Sequence, residues 1–273
     1  MIFTVNNASS YCYTGGKPFD AVKPTVVFIH GVLNDHSVWA LQSRYLAHHG
    51  YNVLAVDLPG HCRSAGNVPS SVEEGADFIT GLLDAAGVQK AALVGHSWGS
   101  LIALEAAGRL GERISHLVLV GTAYPMKVSP VLLETSLNAP EKALHLINVL
   151  SRSTLAAPPS ALGPGTWIFG ASMALGRRVL ASNTAVNVFH RGFAACDSYV
   201  HGLEAMALVK CPVLFLLGQQ DQMTAPKAAQ SLVASAQAAG VVHQVTYVPV
   251  GHHQMTEAPE ETLAAIKGFL RVA

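Results

Sequence analysis

The sequence is poor in charged residues and shows no excess of either sign. Only 12% of its 273 residues are charged, and 17 Lys and Arg residues are balanced by 17 Asp and Glu residues. Proteins that bind nucleic acid or an anionic membrane electrostatically carry a basic patch, which raises their positive charge. We therefore expect neither nucleic acid nor a membrane among the partners of this chain.

Cysteine is also scarce, and its spacing forms no recognisable site. No C-x-x-C pair occurs and no dense spacing suggests a disulfide framework. The four cysteines are Cys12, Cys62, Cys196 and Cys211. Such usage is typical of a reduced compartment, and we expect a cytoplasmic protein.

Long apolar runs are missing as well. Every apolar stretch is interrupted by His, Gly, Ser or a charge before it reaches membrane-spanning length. The first residues, Met1 to Asn6, contain neither a basic region nor a long apolar core, so they do not resemble a signal peptide.

Histidine is abundant, but its pattern does not predict a metal site. The chain has 13 histidines, including adjacent pairs at 48–49 and 252–253, whose side chains point in different directions on any regular element. No H-E-x-x-H pattern is present. We expect no metal, and nothing in the sequence implies a cofactor.

The remaining composition is that of a globular α/β protein, with half of the residues apolar. Buried runs such as Thr25–His30 and Asn52–Asp57 alternate with stretches of helical spacing such as Val72–Ala86. This alternation predicts a parallel sheet with right-handed crossovers, whose functional residues lie beyond the carboxyl ends of the strands.

The alternation stops between residues 124 and 205. This segment has no β-rich run, contains helix-like stretches at Glu141–Leu150 and Ala185–Ala195, and is punctuated by Pro and Gly at 158–159 and 163–165. We predict a core of residues 1–123 and 206–273 with an inserted helical cap, 124–205, called the lid segment below. The alternative is a set of extra helices packed beside the sheet.

The strongest motif is Gly95-His96-Ser97-Trp98-Gly99, between a buried run and an alanine-rich helical stretch. A serine at such a junction sits in a tight strand-to-helix turn, and the flanking glycines remove side chains that would collide there. The motif resembles the nucleophile elbow of the α/β-hydrolase family. That resemblance implies a mostly parallel eight-stranded sheet flanked by helices, with Ser97 as nucleophile.

Asp221 and His252 each follow a predicted strand, and the chain order Ser, Asp, His is the order used by this family. The segments Leu217–Asp221 and Gly251–His252 resemble the family's acid and histidine loops. We therefore expect His252 as base and Asp221 as the acid that orients it. Asp197 is the rival acid, but it lies in the lid segment.

The oxyanion of an acyl-transfer intermediate requires two aimed N–H donors. One should be Trp98, and the resemblance to the family's H-G-x motif indicates Val32 as the other. Residues 57–64 resemble the family's D-x-P-G-x-G-x-S loop, with Cys62 where glycine is usual. We expect Asp57 and Ser64 to brace this loop.

These residues predict a serine hydrolase that cleaves a small, largely apolar carboxylic ester through an acyl-enzyme. A serine nucleophile weighs against the haloalkane dehalogenases and epoxide hydrolases of the same fold, which use a carboxylate. Hydrolysis of a C–C bond in a diketone ring-fission product, and a slow-turnover small-molecule sensor, stay open. The expected partner is a small-molecule substrate, and a homodimer stays open.

The lid segment should supply the pocket wall, and its aromatic residues suit an apolar group. An acidic substrate would instead need a cation there. The pocket candidates are Trp167, Phe189 and Phe193, and the candidate cations are Arg152, Arg177, Arg178 and Arg191.

Overall fold

The fold is built on one twisted sheet, and the computed structural model describes residues 1–20, 22–153 and 167–271. Within that part of the chain, eight strands pair in the order β1-β2-β4-β3-β5-β6-β7-β8. Only β1–β2 and β2–β4 pair antiparallel, so the predicted mostly parallel sheet is confirmed. The strands are β1 (Ile2–Val5), β2 (Ala8–Tyr13), β3 (Thr25–Ile29), β4 (Asn52–Val56), β5 (Ala91–His96), β6 (Ile114–Val120), β7 (Val213–Gly218) and β8 (His243–Val248).

The central strands read as unbroken apolar runs because both of their faces are covered. Every residue of β3, β4, β5 and β7 is buried. Successive side chains point to opposite faces, so Leu93 packs into one hydrophobic cluster and Val94 into the other. Such strands fix the positions of the loops at their carboxyl ends.

Helices cover both faces of the sheet. Two of them, next to each other, pack on one face, and another pair packs on the opposite one. The first pair is α2 (Val72–Ala85) and α3 (Trp98–Leu110), and the second is α1 (Ala40–Ala47) and α11 (Pro259–Leu270).

The lid segment is helical in its described part. Its helices are α4 (Pro130–Asn138), α5 (Pro140–Leu150), α6 (Ile168–Ala181), α7 (Val188–Ser198) and α8 (Gly202–Leu208). Helices α4 to α7 share a hydrophobic cluster separate from those of the sheet. Helix α8 instead packs on α3 and on α9 (Gln230–Ala238), beside the sheet. The Pro and Gly signals at 158–159 and 163–165 lie outside the described residues.

A short helix, α10 (Gln254–Glu257), follows His252 and was not expected from the sequence. Among the described helices, none has both the length and the hydropathy needed to cross a bilayer.

Candidate active site

Ser97 occupies a backbone conformation that ordinary residues avoid. It lies between β5 and α3 with φ +54° and ψ −120°. A Cβ added at Gly95 would lie 2.1 Å from the carbonyl oxygen of Gly99, and one added at Gly99 would lie 2.4 Å from that of Ile29. Neither position can accept a side chain, because the obstacle in each case is backbone. The two glycines thus permit the turn that holds Ser97 beyond the end of the strand.

Asp221 and His252 form a buried acid–base pair. Asp221 follows β7, His252 follows β8, and His252 Nδ1 lies 2.8 Å from Asp221 Oδ2. Thr224 donates its hydroxyl proton to Oδ2 at 2.7 Å, and the Met223 and Thr224 amides donate to Oδ1, both at 2.8 Å. These bonds fix the carboxylate, and the carboxylate fixes the imidazole.

The electrostatics of Asp221 favour its charged form. Burial raises the pKa of this carboxyl, but the charge of His252 and the hydrogen bonds from His252 and Thr224 outweigh burial. The net result is a pKa well below the usual range. Asp221 therefore remains an acceptor at any working pH.

Ser97 and His252 line the same cavity, which has a volume of about 190 Å³. Its other walls are mainly apolar and come from the lid segment and from the loops after β3 and β7. They include Val32, Met126, Leu132, Phe193 and Met223. The structure thus brings the three predicted triad residues to one end of the sheet. Asp197 lies in α7, where its carboxylate accepts from the Val128 amide at 3.0 Å.

The two predicted oxyanion donors lie on the loops that bracket Ser97. Trp98 begins α3, and the first amides of a helix have no intrahelical acceptor. Val32 follows Gly31, where an added Cβ would lie 3.1 Å from Ser97 Cβ. Across the described ranges, neither amide has a protein acceptor. Both N–H groups are therefore free to bind an oxyanion.

Helix α7 lies against the side chains of Val32 and Trp98. A Cβ added at Gly192 would lie 2.9 Å from Val32 Cγ2 and 3.4 Å from Trp98 Cε3. The lid segment thus contacts the core at the two residues that are the predicted oxyanion donors.

Two supporting residues were missed by reasoning from the sequence. His96 Nε2 lies 2.9 Å from the carbonyl oxygen of His252, and because a carbonyl only accepts, Nε2 carries the proton. Burial, and then the charge of His252, hold the pKa of His96 well below its usual value, so it stays neutral. Thr224 is the second. For these two residues, the only sequence signal is the position of Thr224 three residues after Asp221.

The loop after β4 has Cys62 where the family pattern has glycine, and its backbone at this position has the conformation typical of glycine. Cys62 has φ +45°, a left-handed conformation in which glycine is usual. Ser64 accepts from the Tyr11 amide and donates to the Asp57 carbonyl, so it braces the loop. The Asp57 carboxylate accepts from the amides of His36 and Arg63.

Asp35, His36 and Asp57 form a group of possible metal ligands, with ligand atoms within 4.8 Å of one another. Each of them already has a protein partner. His36 Nδ1 lies 2.7 Å from Asp57 Oδ1, and Arg178 binds Asp35 at 2.6 Å. These bonds account for the closeness of the three side chains.

The three predicted pocket residues lie in different surroundings. Phe193 lines the cavity beside Ser97. Phe189 is fully buried behind it, with ring centroids 4.9 Å apart. Trp167 is 63% exposed and packs against Phe169 at the outside of the lid segment.

The strand order, the elbow and the acid–base pair after β7 and β8 define an α/β-hydrolase fold. Residues 24–152 match the sequence profile of the alpha/beta hydrolase fold family. The chain has the α/β-hydrolase fold. An esterase from Exiguobacterium antarcticum has the same fold, with a TM-score of 0.81, 16% identity and 99% of each chain covered.

Curated relatives match over shorter stretches. The acetyltransferase component of the acetoin cleaving system of Cupriavidus necator is 35% identical over 97 residues, which is 35% of this chain and 26% of that protein. The 2-hydroxy-6-oxononadienedioate/2-hydroxy-6-oxononatrienedioate hydrolase of Paraburkholderia phymatum is 36% identical over 118 residues, 41% of each. The matches thus span well under half of these relatives.

Proposed function

We propose that this chain is a serine hydrolase that cleaves small, largely apolar carboxylic esters through an acyl-enzyme. The observation that carries the proposal is the placement of Ser97 and His252 on one small cavity, with His252 held by Asp221 at 2.8 Å. A serine hydroxyl is a weak nucleophile until a base takes its proton, and this arrangement supplies that base.

The reaction proceeds in two halves. His252 Nε2 accepts the hydroxyl proton as Ser97 Oγ bonds to the ester carbonyl carbon, and the negative oxygen is held by the Val32 and Trp98 amides. The C–O bond to the alcohol then breaks, and His252 gives its proton to the leaving oxygen. Water, deprotonated by His252, attacks the acyl carbon, and the Ser97–acyl bond breaks as His252 returns the proton to Ser97 Oγ, which releases the acid.

The buried carboxylate of Asp221 acts through His252. It accepts the Nδ1 proton, which leaves Nε2 free to receive the proton of Ser97, and it stabilises the imidazolium that forms. No step of this mechanism requires a metal or a cofactor. The apolar wall around Phe193 suits an aliphatic or aromatic acyl group.

Hydrolysis of a carbon–carbon bond is the second candidate, because it uses the same triad. The Paraburkholderia relative favours it, since that protein is named as a hydrolase of 2-hydroxy-6-oxo dienedioates and trienedioates. A third candidate is a sensor that binds its ligand with little turnover.

A labelling experiment tests the proposal. A fluorophosphonate probe should modify the native chain once, and Ser97→Ala should remain unlabelled. Ser129→Ala is the matched control, because Ser129 places a second hydroxyl on the same cavity. Equal labelling of native protein and Ser97→Ala would contradict the assignment of the nucleophile.

A substrate panel separates the three candidates. p-Nitrophenyl esters of increasing acyl length should be cleaved with a burst of nitrophenol as the acyl-enzyme forms. Turnover of a vinylogous diketone alone would favour the carbon–carbon hydrolase, and binding without turnover would favour the sensor.

A further inference from the structure

Arg152 is a buried cation at the junction of the lid segment and the histidine loop. Arg152 comes two residues after the end of α5 and is only 6% exposed. One terminal nitrogen donates to Thr256 Oγ1 at 2.9 Å, and the other donates to Ser172 Oγ. Both partners are neutral hydroxyls.

The charge of Arg152 has no direct counter-ion. It forms no salt bridge with any carboxylate of the described ranges, and its Nε has no hydrogen-bond acceptor there. The nearby Glu257 carboxylate is occupied, since it accepts from the Ser153 amide, the Ser153 hydroxyl and the Gly251 amide. A buried charge without a paired charge is costly to hold.

Arg152 nevertheless remains charged. Burial lowers its pKa and Glu257 opposes that effect, with a net value of about 10. The guanidinium is therefore protonated at neutral pH. Its charge also contributes, after burial, to holding the pKa of His253 well below the usual range. His253 is consequently a neutral neighbour and supplies no competing cation.

Arg152 lines a cavity of about 280 Å³. Asn34, Ser37, Ser172 and Thr256 give this cavity further polar groups. The second cation on its wall, Arg178, is already bound to Asp35 at 2.6 Å. Arg152 is thus the cation of this cavity that has no directly paired carboxylate among the described residues.

The cavity lies next to the site of chemistry. His253 lines it, whereas the preceding residue, His252, lines the cavity of Ser97. In the same way Asn34 borders one cavity and Val32 the other. The two cavities are therefore neighbours across the histidine loop.

From this juxtaposition we propose that the Arg152 cavity binds a carboxylate, either the free acid arm of a dicarboxylic monoester substrate or a separate small carboxylate ligand. The guanidinium offers donors that match a carboxylate, and the Asn34 side-chain amide, which donates one N–H to the Val32 carbonyl, has a second N–H to offer. If the carboxylate belongs to a substrate, the inference rests on the proposed hydrolase function and identifies the polar end of that substrate.

Paired substrates test the proposal. p-Nitrophenyl monoesters of glutarate and suberate carry a terminal carboxylate where the pentanoate and octanoate esters carry a terminal methyl group. Native protein should prefer the acid at one chain length, with kcat/KM about 10- to 100-fold above that of the neutral ester, the scale of a hydrogen bond to a charged group.

Arg152→Met should abolish that preference while leaving kcat/KM for the neutral ester within about threefold. Arg177→Met is the matched control, because Arg177 is a lid arginine bound to Glu141 at the surface. It should keep the preference. If Arg152 serves only to hold the lid segment, Arg152→Met will impair both esters equally, which would overturn the proposal.

Free glutarate distinguishes the second source. At about 20 mM and matched ionic strength it should raise the Tm of native protein and Arg177→Met by about 2–4 °C if it binds with a Kd near 1 mM, and not that of Arg152→Met. Glutaramide is the neutral control. A glutarate effect without an ester preference identifies a separate ligand.

Measurements on the native protein alone can contradict the inference, so the test does not depend on whether Arg152→Met folds. Should the native chain show neither an acid preference at either length nor stabilisation by glutarate, the carboxylate site is absent. Cleavage of the neutral esters in that experiment would leave the proposed hydrolase function standing.

Discussion

The core around the serine and the lid segment above it are held by different kinds of contact. At Gly99 an added Cβ would meet the backbone oxygen of Ile29 at 2.4 Å, whereas at Gly176 in the lid segment it would meet the Leu144 side chain at the same distance. Backbone in a sheet cannot step aside, but a leucine side chain can rotate. The elbow of the core is thus bounded by main chain at Gly99, whereas the lid segment is bounded at Gly176 by a side chain that can rotate.

This difference assigns separate roles to the two regions. Chemistry requires atoms placed within a fraction of an ångström, and the core provides such placement. Substrate choice requires a wall that can change without disturbing the catalytic atoms. The lid segment suits that task, and it also leaves apolar side chains such as Val131 and Leu137 exposed.

The largest expected effect comes from exchanging an acid of the core. Asp221→Asn should reduce kcat on p-nitrophenyl acetate by about 10⁴-fold, because an amide can donate to Nδ1 and leave the wrong tautomer of His252. Asp197→Asn, the same change in the lid segment, should cost less than about threefold. The reverse ranking in steady-state kinetics would move the catalytic acid into the lid segment.

Glycine replacements probe the two kinds of contact directly. Gly99→Ala should lower the free energy of unfolding by more than about 3 kcal/mol, since backbone must move to admit the methyl group. Gly176→Ala should change it by about 1 kcal/mol or less, because helix propensity offsets the rotation of Leu144.

Gly268→Ala in α11 is the open-space control. No atom lies within 4 Å of an added Cβ, so we expect stabilisation by about 0.5–1 kcal/mol. Urea denaturation of the three variants gives the ranking. A Gly99→Ala protein as stable as the native chain would refute the view that the elbow is locked by backbone.

Removal of one wall residue tests the lid segment as the determinant of substrate choice. Phe193→Ala should raise KM for octanoate esters by about 10- to 200-fold, which corresponds to a loss of about 1–3 kcal/mol of binding free energy. It should barely alter KM for acetate esters, which do not reach the wall. Trp167→Ala, on the exposed side, should change neither. An equal rise in the KM for octanoate esters in both variants would show that Trp167 also lines the pocket. Equal losses of activity on octanoate and acetate esters would show that the lid segment does not determine substrate choice.

The smallest effect concerns the ion pair that joins the two regions. Burial raises the pKa of Asp35, but hydrogen bonds from Ser37 and Arg178 and the charge of Arg178 bring it from 3.8 to about 2. Because the folded state lowers this pKa, the stabilisation is complete above about pH 4 and disappears as the pH falls toward 2.

Asp35→Asn should therefore lower the free energy of unfolding by about 1–2 kcal/mol at pH 7 and by progressively less at pH 4 and pH 3. Urea denaturation at the three values measures the difference from native protein. A penalty that stays constant with pH would show that the charge of Asp35 does not contribute.

Much of the core was predictable because local sequence determines it. The runs at β3 and β7 are apolar without alternation since both faces are buried, and the glycines around Ser97 are required by the turn itself. The order of Ser97, Asp221 and His252 along parallel strands was then enough to place them at one sheet end. Whether they act as a triad stays a prediction.

Contacts between distant segments could not be predicted in the same way. Nothing in the sequence around Arg152 distinguishes it from Arg177, yet one is buried beside Thr256 and the other lies at the surface. The expected helix Ala185–Ala195 runs instead from Val188 to Ser198, because Asn187 accepts from the Phe189 and His190 amides and so begins it. Periodicity alone does not locate that cap.

The backbone of the proposed base is bonded to the lid segment. The His252 amide donates to the Ser151 carbonyl at 2.8 Å, directly after α5. A displacement of α5 that breaks this bond removes one of the two hydrogen bonds by which the described residues hold the His252 backbone, and leaves the one from His96. The order of the base and the docking of this end of the lid segment are consequently linked equilibria, and linkage is reciprocal. A substrate that tightens the docking steadies its own catalyst by the same free energy.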